Sequence, residues 1–353
     1  MQKLFSSLLG VGLISFSVSC GTYKAAAEIK LKTTSHFNYL GSCELPYGLQ
    51  YRQTTVGGLS GIDYDPVHQV YYLISDDRSA INPARFYTAK IKLTANGIDT
   101  VMLTGTQKLP VQRKGVPDPE AIRYSPVSGR LVWSSEGDRN IKSGSATLID
   151  PSIQLISRKG KIIQNFILPE SLKMSTMESG PQNNEVLEGL TFSGDGKILY
   201  ASMEGPLYED KLPAFQRVYQ FDVASGVNTA QYFYKSEKGY GITDILNVND
   251  RQFLFTERSW SKETKRLTVM VYLADFQGAT DLMQYTDRGG SEAIPIRKKL
   301  LLDFSKLSFP VDNIEGATLG PQLPNGHPTL LFVSDNNFNP EQITQFLLFE
   351  LVL

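Results

Sequence analysis

Residues 184–205 read NEVLEGLTFSGDGKILYASMEG, and this stretch decides the fold. An acid beside a glycine, Glu188-Gly189, opens it. A short apolar strand follows, then a turn at Gly194-Asp195-Gly196, then a second apolar strand, KILYASM, closed by Glu204. Alternating apolar runs on either side of a Gly-Asp turn are a hairpin signal. The same layout recurs at 58–78 (GLSGIDYDPVHQVYYLISDDR), 118–139 (DPEAIRYSPVSGRLVWSSEGDR), 241–259 (GITDILNVNDRQFLFTERS) and 313–337 (NIEGATLGPQLPNGHPTLLFVSDNN). Glu120 to Glu136 spans the same 16 residues as Glu188 to Glu204. The fourth copy is shorter, and the fifth carries an insertion in its turn. Self-similarity at this period marks a repeat architecture.

Working outward, each pair is followed by a third stretch with period-two alternation: RFYTAKIKL, RVYQFDV, LTVMVYLADF and ITQFLLFEL. A fourth, such as TAQYFYK, often comes next. Four antiparallel strands per repeat make a propeller blade. The expected fold is therefore all-β, a single propeller of five blades over 35–353, with a sixth left open by the loosely patterned 150–185 and 260–300 stretches. The last copy has three strands before Leu353, so the strand Phe37–Leu45 is free to complete it and remove an open edge. Short helices are expected only near PESLKM and in 275–285.

The first 27 residues stand apart. Lys3 and an apolar run from Leu4 to Val18 have the layout of a secretory signal peptide, too short to span a bilayer comfortably. Small residues before Cys20 resemble a lipobox, which would make Cys20 the lipidated first residue. Cleavage after Ala25-Ala26-Ala27 is the rival. The chain is thus expected to be exported, as a periplasmic or outer-membrane lipoprotein or a secreted soluble protein. A net charge of −1 gives no electrostatic ground for a nucleic-acid partner. Cys43 is the other cysteine, so the fold does not rest on disulfides. A monomer is expected, touching a membrane only through a lipid anchor.

In a propeller the first strand of each blade lines the channel, and repetition sets equivalent residues in a ring. The strand starts carry Glu120, Glu188, Asp244 and Glu315, with Ser60 in the first copy. The second-strand ends add Asp76, Asp77, Glu136, Glu204, Glu257 and Asp335. Antiparallel pairing brings both sets to one mouth. Carboxylates so crowded need cations, arginines or shared protons, and hard ions such as Ca²⁺ suit oxygen donors. Each acid could equally cap backbone amides at a strand end. Arg78, Arg123, Arg139 and Arg258 accompany the acids and are candidates for gripping an anion, or for plain ion pairs. Three histidines, His36, His68 and His327, make a His-rich metal site a poor fit. No Gly-x-Ser-x-Gly elbow is present.

GLSGIDYDP, DPEAIRYSP, NEVLEGLTFSGDGKILYASMEGP, DNIEGATLG and LLFVSDNNF resemble the phytase-like family, termed "esterase-like activity of phytase", from about Gly57 to Asn339. The resemblance implies an exported propeller, distantly linked to calcium-dependent alkaline phytases. It places Glu120, Glu188, Glu204, Glu315 and Asp335 on the family's acidic motif positions. Glu120, Glu188 and Glu204 are the candidate catalytic residues. Glu120, Glu188, Glu204, Asp244, Glu257, Glu315 and Asp335 are the candidate Ca²⁺ ligands. The DDPA-type box of true alkaline phytases is absent. Three readings follow for a small anionic or ester substrate: a Ca²⁺-dependent phosphoester hydrolase, a Ca²⁺-dependent lactonase, and a non-catalytic envelope binding module.

Overall fold

A computed structural model describes residues 29, 31, 35–94, 97–110, 117–210, 214–285 and 292–352. Residues 1–27, and with them Cys20, lie outside the described residues. Strand β1 (His36–Leu45) is followed by a small hairpin, β2 (Gln50–Tyr51) and β3 (Thr54–Thr55). Blade I holds β4 (Leu59–Asp65), β5 (Val70–Ser75), β6 (Arg85–Thr94) and β7 (Gly97–Lys108). Blade II holds β8 (Pro119–Ser125) and β9 (Arg130–Ser135). A projecting hairpin comes next, β10 (Asp138–Lys142) and β11 (Ser145–Ile149), before β12 (Ser152–Ile156) and β13 (Ile162–Asn165). Blade III is β14 (Leu187–Phe192), β15 (Ile198–Met203), β16 (Phe215–Asp222) and β17 (Asn228–Lys235). Blade IV is β18 (Gly241–Asn247), β19 (Gln252–Ser261), β20 (Arg266–Asp275) and β21 (Arg297–Asp303). Blade V is β22 (Ile314–Leu319), β23 (Thr329–Ser334), β24 (Thr344–Val352) and, outermost, β1.

The propeller has five blades. The 150–185 stretch supplies β12 and β13, and 260–300 supplies the end of β19, all of β20 and the start of β21, so neither hides a sixth. Strand β1 pairs antiparallel with β24 from His36↔Val352 to Leu45↔Thr344, which closes the ring as its strand pattern suggested. PESLKM forms only a 3-10 turn, Glu170–Leu172, and 275–285 is built of turns rather than a helix.

The inner strands β4, β8, β14, β18 and β22 neighbour one another in that order and return to β4. Apolar faces of adjacent blades pack together. Tyr72, Ile74, Phe86, Ile122, Leu131 and Trp133 form one such layer, buried between blades I and II. Removing this surface from water drives the assembly, because each blade alone leaves two apolar faces wet. Side chains at one level of the inner strands then lace neighbouring blades. Thr191 Oγ1 accepts from Asn247 N (2.9 Å), Thr318 Oγ1 from Tyr64 N (3.1 Å), and Asp63 Oδ2 from Tyr124 N (2.6 Å).

Each inner strand also carries a β-bulge near its start, at Leu59/Gly61, Pro119/Ile122, Leu187/Gly189, Ile242/Asp244 and Ile314/Gly316. A bulge re-aims the side chains around it. Five equivalent bulges turn five equivalent positions, Ser60, Glu120, Glu188, Thr243 and Glu315, to the same end of the channel.

Candidate active site

The second-strand ends meet this ring. In blade III the residue after the bulge, Gly189, pairs with Ser202, and Glu204 follows two residues later. Asp76, Glu136 and Asp335 hold the same place in blades I, II and V. Blade IV departs from the acid pattern. There Asp244 pairs with Thr256, so the counterpart of Glu204 is Arg258, and Glu257 falls one residue short. Side chains alternate along a strand, so one residue of slip sends a side chain to the other face.

The mouth opens into a cavity of about 1780 Å³. Asp76, Asp118, Glu120, Glu188, Glu204 and Glu315 line its floor beside Arg78 and Arg258. Oxygens of Asp118, Glu120 and Glu136, all buried, lie within 4.8 Å of one another. Asp76 Oδ1, Glu136 Oε2 and Asp335 Oδ2 are buried without a hydrogen-bond partner. Leaving a buried carboxylate oxygen unpaired is costly. Orphaned oxygens next to a three-carboxylate cluster therefore fit a hard, oxygen-seeking cation. Asp118, Glu120 and Glu136 would hold it.

Electrostatics point the same way. Burial, and then the charges of Glu188, Asp118, Glu136 and Asp76, push Glu120 well above the usual carboxylate range. Burial raises Glu136 and Glu188 well above it too, each helped by neighbouring acids. Asp335 is raised by burial and by Asp76, and Glu315 by burial. Asp76 is pushed up to about 7 by burial and then Glu315 and Asp118. Asp118 rises to about 6, burial outweighing the pull of Arg78. Without a cation, the cluster holds protons instead.

Two arginines offset part of this charge. Arg258 donates to Glu315, to Asn313 Oδ1 (2.6 Å) and to Glu204 Oε1 (3.0 Å). Burial opposes its charge, but Glu315 and Glu204 more than restore it. Arg78 is ion-paired with Asp118 and donates to Asn184 Oδ1 (2.5 Å). Asp118 Oδ2 is the oxygen that meets Arg78 Nη2, so any cation held by Asp118 shares that carboxylate with the guanidinium. Arg78 keeps about a third of its side chain exposed, facing the cavity.

The remaining sequence candidates lie elsewhere. Asp244 occupies a place taken by glycine in blades I, III and V, below the mouth. Both its oxygens accept from Arg123 Nη2 (2.5 and 2.6 Å). Arg123 also donates to the carbonyls of Ile62 (2.5 Å) and Leu190 (2.6 Å). One guanidinium from blade II thus ties three other blades together, as a plug in the channel rather than a substrate grip. Glu257 points between the outer strands of blades III and IV, accepting from Tyr234 Oη (2.7 Å) and Lys298 Nζ (2.6 Å). Arg139 sits on the projecting β10–β11 hairpin, over the Tyr208 ring and bonded to the Ser175 carbonyl (2.9 Å). Asp77 turns away to Arg85 (2.7 Å). His68 and His327 pair with Asp65 and Glu350, outside the acid ring.

Asp118 was not among the sequence candidates. Its signal stood in the DPEAIRYSP motif, two residues before Glu120, but no other copy carries an acid there.

An arabinase from Bacteroides thetaiotaomicron VPI-5482 is similar at 12% identity and a TM-score of 0.47, covering 88% of this chain and 98% of its own. A protein of unknown function from Dyadobacter fermentans DSM 18053 matches at 8% and 0.42, covering 90% and 99%. The periplasmic gluconolactonase PpgL of Pseudomonas aeruginosa matches at 11% and 0.34, covering 84% and 72%. At such scores these likenesses say nothing of what the chain acts on. No curated protein matches in sequence. Residues 54–338 do match one family model, and by that match this five-bladed propeller belongs to the phytase-like family, described as "esterase-like activity of phytase".

Proposed function

We propose that this chain is an exported, Ca²⁺-dependent hydrolase of small phosphoesters, working at the acid mouth of the propeller. The observation that carries the reading is the buried Asp118–Glu120–Glu136 cluster, with an orphaned oxygen on Glu136 and Arg78 alongside. A divalent cation held there supplies Lewis acidity toward an ester oxygen. Arg78, paired with Asp118 and about a third exposed to the cavity, can turn its outer guanidinium edge onto a second anionic oxygen. Arg258 stays locked between Glu204 and Glu315 and fixes how those two acids face the cavity. Asp76 lines the cavity with one oxygen unpartnered, which suits it to accept a proton from a water entering there. Glu188 lines the same cavity across the ring and is placed to deliver one to the leaving oxygen.

Residues 1–27 are read with this as an export segment, with Cys20 the lipid-bearing residue and the monomer held at a membrane only by that anchor. Among the described residues no helix is long and apolar enough to cross a membrane.

The test is phosphate release from p-nitrophenyl phosphate and from phytate, with Ca²⁺ and with chelator. Expected is Ca²⁺-dependent release that Glu120→Gln abolishes. A folded protein that releases no phosphate but opens lactones would replace this reading with a lactonase.

A further inference from the structure

The β19–β20 hairpin rises from the acid mouth, and its pairing sets one face toward the cavity. Arg258 pairs with Val269, and Trp260 with Leu267. Residues two apart on a strand share a face, so Arg258, Trp260, Leu267 and Val269 all lie on this one. All four line the cavity. Trp260 stands two residues, about 7 Å, farther out than Arg258. It is 55% exposed, unusual for so large an apolar ring. Leu307, Phe309 and Val311 line the same cavity from the segment leading into blade V, and Phe309 is braced on Tyr39 at 4.7 Å between ring centroids. Exposed Lys262 and Lys265 form the outer lip. An apolar shelf therefore begins beyond Arg258, on the wall of the cavity whose floor carries the acids.

A ligand that spans from Arg258 to Trp260, about 7 Å along the strand, must be longer than an inorganic anion. We propose that the ester attacked at the mouth carries an apolar alkyl or aryl body, longer than methyl or ethyl, which lies along Trp260, Leu267 and Phe309 while its charged head meets Arg78 and the acid cluster. This rests on the phosphoester reading above and adds its substrate class, an amphiphilic monoester. Burying the body against the shelf sets the preference among esters with identical heads.

Trp260 makes the test direct. The chain has two tryptophans, and the other, Trp133, is 2% exposed, so a change in exposed-indole emission reports the shelf. Binding of hexylphosphonate and methylphosphonate, neither of which can be hydrolysed as an ester, is titrated on the full chain with Ca²⁺. Expected is a saturable blue shift with hexylphosphonate at a Kd about tenfold or more below that of methylphosphonate. The ratio should fall toward one in Leu267→Asn and, as a second variant should that one fold poorly, in Phe309→Ser. Equal affinities in the unaltered protein, or binding of neither ligand, overturn the proposal. A blue shift with anionic vesicles but none with monomeric hexylphosphonate also overturns it and makes Trp260 a membrane anchor. Because binding needs no turnover, a hexyl preference without phosphate release would keep the shelf while sinking the phosphoester reading.

Discussion

If Ca²⁺ fills the proposed site, stripping it at pH 8 should lower the melting temperature of this protein, and acidifying the stripped protein to pH 5 should recover most of the loss. The cause is the acid mouth. Asp76 is raised from 3.8 to about 7 and Asp118 from 3.8 to about 6, burial leading in both. A carboxyl whose folded pKa exceeds its unfolded value holds a proton that the unfolded chain would release. Its contribution is therefore greatest below the unfolded value and is lost as pH rises through the folded one. For these two groups the window runs from about pH 4 to 7. One pKa unit is about 1.4 kcal/mol, and about two units of the Asp76 shift lie between pH 5 and its folded value near 7, so the loss from pH 5 to 8 is on the order of 3 kcal/mol. Because Asp118 shares the same repulsion, that figure serves for the pair. At about 2 °C per kcal/mol for a chain of this size, the stripped protein should melt roughly 6 °C lower at pH 8 than at pH 5. Saturating Ca²⁺ takes the place of the protons, so the loss should shrink or reverse in its presence. Differential scanning calorimetry with chelator and with Ca²⁺ at pH 5, 6, 7 and 8 reads this. A stripped protein whose melting temperature is flat or rises from pH 5 to 8 would refute the reasoning, for then the acids do not face one another across a desolvated mouth.

Two further outcomes test the frame around the site. Arg123→Met should destabilise by about 3–5 kcal/mol in urea unfolding, because it strands Asp244 buried and unpaired. Adding Asp244→Leu should recover part of that loss, and a double variant weaker than the single would show that the pair is not the plug described. Gly58 has φ +60°, and a Cβ there would run into Asp76 Oδ1. Gly58→Ala should thus cost about 1–2 kcal/mol and weaken Ca²⁺ binding in titration calorimetry. Unchanged Ca²⁺ affinity would remove Asp76 from the site.

Much of this was legible in the chain itself. Five hairpin copies with closing acids imply five blades, since each copy carries its own apolar alternation and turn chemistry, and both are local. The unpaired third strand of the last copy pointed to β1 as its partner for the same reason. The ring acids Glu120, Glu188, Glu315, Asp76, Glu136, Glu204 and Asp335 follow from repetition, because equivalent positions in a closed ring must face one another.

Tertiary structure decided the rest, and the fourth blade shows why. In GITDILNVNDRQFLFTERS the acids Asp244 and Glu257 look like the missing members of the ring. Strand pairing instead puts Thr243 and Arg258 there. Which way a strand residue faces depends on register and on where the bulge falls, and both are set by the partner strand, not by residue type. The same limit hid the rest. Arg123 and Asp244 stand 121 residues apart and meet only when the ring closes. Asp118 enters the site because its carbonyl accepts from Glu136 N (3.0 Å), a contact beside the ends of strands β8 and β9 that pairing alone sets. The sequence alone determined the blades and most of the acids around their mouth. Only closure of the ring decided which charges meet across it, because those contacts join distant segments and have no local signature.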